Sequence, residues 1–164
     1  MSLYVWQLTS RKKDGASKNR TWKWLLQGEG VTDADMIAKF DDYLPKEPWR
    51  IYRSINPRNV VTAKKLLVKK LIDTLDDNQF SVESAWISSL MKSPADRNIL
   101  LDIDSKDPKV LIYVLAFYPD AELTATSNGY HAVVRPPLEI QETEEITIKR
   151  DCFTLIEWGN GAGD

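Results

Sequence analysis

An α+β fold with a mixed or antiparallel sheet flanked by helices is what this sequence predicts, and three observations predict it. Strand-like and helix-like runs are interleaved along the chain, the pattern of the mixed fold classes. Thr62 to Leu75 carries apolar residues at the three-and-four spacing of an amphipathic helix. Asn128-Gly129 stands between two strand-like runs, the strongest short signal for a hairpin. The 164 residues fit one domain, and 43% hydrophobic residues with six tryptophans supply a sizeable core.

The elements follow in order. Leu3 to Thr9 reads as a strand, Arg11 to Arg20 as a loop around Asp14-Gly15, and Thr21 to Gln27 as a second strand closing a hairpin. Thr32 caps a helix running to about Tyr43, with Asp33 and Asp35 in the first turn, where acids suit the helix dipole. Pro45 and Pro48 end it, and Trp49 to Ile55 is the next strand, closed by Asn56-Pro57. In the helix from Thr62 to Leu75, the buried stripe is Ala63, Leu66, Leu67, Leu71, Ile72 and Leu75, with lysines mostly between them. Ser81 caps a helix reaching Met91, which Pro94 stops. Ile99 to Asp104 is a buried strand. Asp107-Pro108 has the form of a cap and first turn for a helix over Lys109 to Phe117, although the β-branched and aromatic residues there equally permit a strand. Glu122 to Ser127 and Tyr130 to Arg135 form the Asn-Gly hairpin, and Ile146 to Trp158 supplies a last strand or two.

Composition removes several functions. The longest apolar run, Val110 to Tyr118, is nine residues and too short to span a membrane. The start, Met1 to Trp6, lacks the basic and apolar regions of a secretory signal, so a cytoplasmic protein is expected. Cys152 has no partner for a disulfide, and one cysteine with one histidine cannot build a zinc finger. Net charge is −2, but it is unevenly spread. Lys46 to Ile72 holds eight Lys/Arg against Glu47, a balance of +7, and Glu139 to Asp164 has a balance of −5. A basic segment beside an acidic remainder suits phosphate contact on one face, or simply a solvated helix.

The residues suited to chemistry lie in Leu100-Leu101-Asp102-Ile103-Asp104 and Ser127-Asn128-Gly129-Tyr130-His131. On a strand, side chains two apart share a face, so Asp102 and Asp104 point together with Cα atoms roughly 6.6 Å apart. Leu101 and Ile103 then face the core. Two such carboxylates are costly unless a cation neutralises them, and hard oxygen ligands suit Mg²⁺ or Mn²⁺. On Asp-x-Asp alone, an exposed strand end entering the Ser105-Lys106-Asp107-Pro108 turn is the better reading. A two-residue loop at Asn128-Gly129 would pair Ser127 with Tyr130 and Thr126 with His131. His131, Val133 and Arg135 would share a face with Thr126 and Thr124. Imidazole, hydroxyl and guanidinium all suit phosphate oxygens.

An apolar strand ending in Asp-x-Asp, followed by a Ser-x-Gly-x-His hairpin, resembles the catalytic core of the archaeo-eukaryotic primase superfamily. Tyr52-Arg53-Ser54-Ile55-Asn56-Pro57-Arg58 is similar to a basic strand and turn of some members, so the likeness spans roughly the middle half of the chain. The resemblance implies a primase-like, RRM-like core and two-metal nucleotidyl transfer on a DNA or RNA template. Asp102 and Asp104 would bind Mg²⁺ or Mn²⁺, and His131, with Ser127, would contact the triphosphate of a nucleoside triphosphate. The family carries a third acid on a later strand; Asp151 is the candidate and Glu157 the second. Arg53, Arg58 and Arg135 would neutralise phosphates. Lys64, Lys65, Lys69 and Lys70 would track a template backbone, and exposed tryptophans would stack on bases. The length suits an accessory protein of a phage or plasmid.

Two rivals remain. Asp104-Ser105-Lys106 has the Asp-x-Lys form of some metal-dependent nucleases, with Asp102 or Glu83 as a further ligand, but leaves His131 unexplained. A non-catalytic nucleic-acid-binding or interaction module with a decayed site would share the same motifs. A sugar transferase needs a larger nucleotide-binding domain, and hydrolysis by Ser127 or Cys152 has no supporting motif.

Overall fold

The computed structural model describes residues 2–74 and 80–161. Along the chain run β1 (Ser2–Ser10), β2 (Arg20–Gln27), α1 (Asp33–Phe40), β3 (Trp49–Ser54), β4 (Arg58–Asn59), α2 (Val60–Asp73), α3 (Val82–Met91) and β5 (Ile99–Ile103). There follow α4 (Pro108–Phe117), β6 (Glu122–Ala125), β7 (Tyr130–Val134), β8 (Ile146–Arg150) and β9 (Phe153–Gly159). The fold is α+β with two antiparallel sheets. One has the order β2-β1-β3-β9, with β4 on the start of β1; the other has the order β6-β7-β5-β8.

The first sheet is covered on both faces by different groups, which explains why alternation along β1 gives buried residues in a row. Trp6 and Leu8 pack with Met36 and Phe40 of α1 and with Ile51. Leu3 and Val5 face the other way, onto Val60 and Ala63 of α2 and Leu90 of α3. α1 begins at the predicted cap: Thr32 Oγ1 accepts from Asp35 N at 3.1 Å, and Asp35 Oδ2 accepts from Thr32 N at 2.9 Å. Such a reciprocal cap stabilises a helix start by about 1 kcal/mol. The helix stops at Phe40 and the chain continues as a 3₁₀ turn to Tyr43.

α2 starts two residues earlier than the spacing predicts. Asn59 is its cap, accepting from Thr62 N at 3.0 Å. Its stripe is only partly covered: Ala63 is buried, Leu66, Leu67 and Leu71 are half-buried, and Ile72 is exposed. Leu75 lies outside the described residues. α4 settles the ambiguity over Lys109 to Phe117 as a helix, with Asp107 accepting from Lys109 N at 2.9 Å and Pro108 in the first turn.

In the second sheet Ile99, Leu101 and Ile103 pack with Val114 of α4, Ile140 and Ile146, so the inward face of β5 is the predicted one. The hairpin register differs from expectation. Ala125 pairs with Tyr130 and Thr124 with His131, so the loop is the four residues from Thr126 to Gly129. Two local bonds make it so. Thr126 N donates to Gly129 O at 2.9 Å, and Gly129 N donates to Thr126 Oγ1 at 3.1 Å. The loop is also drawn tightly against the end of β5. A Cβ on Gly129 would meet Ile103 O at 2.0 Å, so only glycine fits. The slip is two residues, so Thr124 and His131 keep the same face while Thr126 moves into the loop. β8 and β9 complete different sheets, and the chain steps between them at Asp151, whose φ is 44°, and Cys152. Among the described residues no helix is long and apolar enough to cross a membrane.

Candidate active site

A cleft of about 390 Å³ opens where the two sheets meet, within the roughly 300–1,000 Å³ of small-molecule sites. Asp102, Asp104, Ser127, His131 and Lys149 reach it from the second sheet, and Arg11, Lys13, Asp14, Arg50 and Tyr52 from the first. Asp102 is central. Its register partners are His131 on β7 and Thr147 on β8. Asp102 Oδ1 lies 3.4 Å from His131 Nε2, a long contact, and Oδ2 lies 2.5 Å from Lys149 Nζ.

The other side of the imidazole is held by the first sheet. His131 Nδ1 accepts from the Leu155 amide at 3.0 Å and is 3.3 Å from Thr154 Oγ1. A backbone N–H only donates, so Nδ1 carries no proton. The proton of the neutral ring is on Nε2, aimed at Asp102 and the cleft. A slip in the β3–β9 ladder, where Ile156 is the extra residue, lies beside that amide. His131 therefore bridges the sheets and presents one fixed donor.

The electrostatics follow from the contacts. The His131 hydrogen bond, then Lys149, hold the Asp102 carboxyl well below the usual carboxylate range, against partial burial. The Asp102 contact raises the Lys149 ammonium in turn. Burial pushes the Cys152 thiol up to about 11, so it is not a nucleophile at neutral pH. Asp104 is exposed at the end of β5, two residues along the same face.

The remaining predicted residues are placed elsewhere. Arg53 is turned to the opposite face of β3 from Tyr52, as the period of two requires. It pairs with Asp33 at 2.5 Å and with Glu122, and lies over the Tyr4 ring. Arg58 is wholly buried, bonded to Asp151 at 2.8 Å and to Met91 O at 3.1 Å. Asp151 also accepts from Asn56 Nδ2 at 3.3 Å. It stands four residues beyond Thr147, so its backbone is roughly 13 Å along β8 from the level of Asp102. Glu157 is exposed on β9 and lines no part of the cleft. Arg135 borders a separate depression beside Tyr118 and Glu122. Lys64, Lys65 and Lys69 are exposed on α2, and Lys70 donates to Ser88 Oγ at 2.6 Å; none lines the cleft. Neither Glu83 nor Lys106 reaches it. Of the tryptophans, Trp22 and Trp158 are the exposed ones.

Arg11, Lys13, Arg50, Tyr52 and Lys149 are cleft residues that motif reading misses. The one signal was the density of charge from Arg11 to Lys23, six Lys/Arg against Asp14 alone. Arg50 is tied to Asp14 by two bonds of 2.6 and 2.7 Å, and Arg11 donates to Tyr52 Oη at 3.1 Å.

Among the described residues no three acidic, histidine or cysteine side chains come together as a metal-binding group. The acids that line the cleft are Asp14, tied to Arg50, Asp102, paired with Lys149, and the exposed Asp104. They do not gather into a three-acid set for two ions. No protein-family model, curated protein or solved structure matches the chain.

Proposed function

We propose that the cleft binds a nucleoside triphosphate with one divalent cation and carries out nucleotidyl transfer of the primase-polymerase kind on a nucleic-acid template. The observation that carries this reading is the direct pairing of Asp102 on β5 with His131 on β7, with Asp104 and Ser127 in the same cleft. This is the juxtaposition that a primase-like core requires of the two motifs. Asp102 and Asp104 would hold Mg²⁺ or Mn²⁺, which when bound neutralises the triphosphate and favours departure of pyrophosphate. The His131 Nε2–H, held from behind by the Leu155 amide and 3.4 Å from Asp102, would pass from that carboxylate to a phosphate oxygen when the cation takes Asp102. Lys13, Arg11 and Lys149 surround the phosphates with positive charge.

Two observations favour a second reading, a nucleotide- or nucleic-acid-binding module without turnover. Lys149 already neutralises Asp102, and Asp151 is spent on Arg58 rather than offered to the cleft. Calorimetric titration of Mn²⁺ with nucleoside triphosphate tests the site common to both. Wild type is expected to bind, and an Asp102→Ala, Asp104→Ala double variant to bind at least tenfold more weakly; equal affinities would remove the metal–nucleotide site. Primer extension then separates the two readings, and degradation of DNA without added nucleotide would point to a nuclease.

A further inference from the structure

A second groove, of about 560 Å³, continues from the cleft across the first sheet and shares Arg11, Lys13, Tyr52 and Phe153 with it. Its floor is the end of the β1–β2–β3 face that α2 and α3 leave uncovered, with Gln7, Thr9 and Thr21 supplying polar groups. Its rim is cationic. Lys12 and Lys13 stand on the 3₁₀ turn after β1, and Arg20 starts β2. All three are exposed, and no ion pair engages them among the described residues. Aromatic surface lies within the same groove and at its edge. Tyr52 and Phe153 line it, and the Arg20 guanidinium sits 4.5 Å over the Trp22 ring, which is partly open to solvent. Cations that track a backbone, interleaved with rings that take bases, are the two components of single-strand binding.

We propose that this groove, and not the lysine face of α2, is the path of a single-stranded nucleic acid leading into the cleft. The inference rests on the proposed function and assigns it a template path. It also explains the arrangement of charge. Lys64, Lys65 and Lys69 project from α2 and line neither groove nor cleft, whereas the β1–β2 turn borders both. A strand lying on Tyr52 and Phe153 would pass between Lys12 and Arg20 and arrive beside Asp102.

Fluorescence anisotropy with a labelled oligothymidylate tests this on the whole chain across a salt series. The triple variant Lys12→Ala, Lys13→Ala, Arg20→Ala is expected to bind at least tenfold more weakly than wild type at 0.1 M salt. Its log–log salt slope should shrink by about two, since each lost single-strand phosphate contact removes about 0.7. The triple variant Lys64→Ala, Lys65→Ala, Lys69→Ala should stay within twofold of wild type. All six positions are exposed, and circular dichroism melts check that both variants fold. Loss in the helix variant with retention in the groove variant would overturn the assignment, as would duplex binding as tight as single-strand binding. Calorimetric binding of Mn²⁺–nucleotide by a Lys12→Ala, Arg20→Ala variant, which keeps Lys13 in the cleft, separates failure of this path from failure of the cleft itself. Absence of any oligonucleotide binding by wild type would sink the path while leaving that nucleotide result to stand or fall alone.

Discussion

Asp102 sits between an imidazole N–H and an ammonium, and the two partners set different properties. Lys149 answers its charge, while the His131 Nε2–H is a directional contact fixed from behind by the Leu155 amide. Because the folded carboxyl is held below the unfolded value of about 3.9, its ionised form contributes stability above that pH. The contribution disappears as pH falls from about 3.9 through the lowered folded value. Thermal melts of wild type and Asp102→Asn should therefore differ at pH 7 and converge below pH 4. A gap unchanged from pH 7 to pH 2 would show that the carboxylate is not so held. That Asp102 and Asp104 line one cleft was legible, because residues two apart on a strand share a face. Lys149 was not, since nothing in Ile148-Lys149-Arg150 says which strand will lie alongside β5.

At the scale of elements, the β8–β9 turn makes the clearest case. Asp151 adopts a positive φ where the chain leaves one sheet for the other, and it answers the buried charge of Arg58. Removing one partner of a fully buried pair costs about 3–5 kcal/mol; here Arg58 is buried but the Asp151 side chain is 35% exposed, so solvent screening brings the expected loss to about 1–3 kcal/mol. Asp151→Ala should accordingly lose stability of that order in urea unfolding while retaining Mn²⁺–nucleotide affinity at temperatures where it is folded. A small stability effect with lost metal affinity would assign Asp151 to the cleft instead. Most elements could be read from local chemistry. Thr32, Ser81 and Asp107 each announce a helix by capping it, and a cap needs only near neighbours. The hairpin shows the limit of such reading. Asn-Gly fixed its place, but the Thr126 hydroxyl and the pressure of Gly129 on β5 set a four-residue loop, and that pressure is a tertiary contact.

For the whole molecule, the cleft depends on two sheets meeting. The acids and the histidine come from one sheet; the amide that orients the ring and much of the positive charge come from the other. That division explains why the acid–histidine constellation could be read from motifs while its surroundings could not. Arg53 and Arg58 carry the right charge but face α1 or lie in the interior, whereas the unremarkable β1–β2 turn borders the cleft. His131 is the sole histidine, so its ring protons are a unique reporter of this meeting point. The most direct measurement is proton NMR of those two ring signals during addition of Mn²⁺ with nucleoside triphosphate. Paramagnetic broadening in wild type and its absence in the Asp102→Ala, Asp104→Ala variant is the predicted result. Sharp signals in saturated wild type, or equal broadening in both proteins, would contradict a cation held by these acids beside His131.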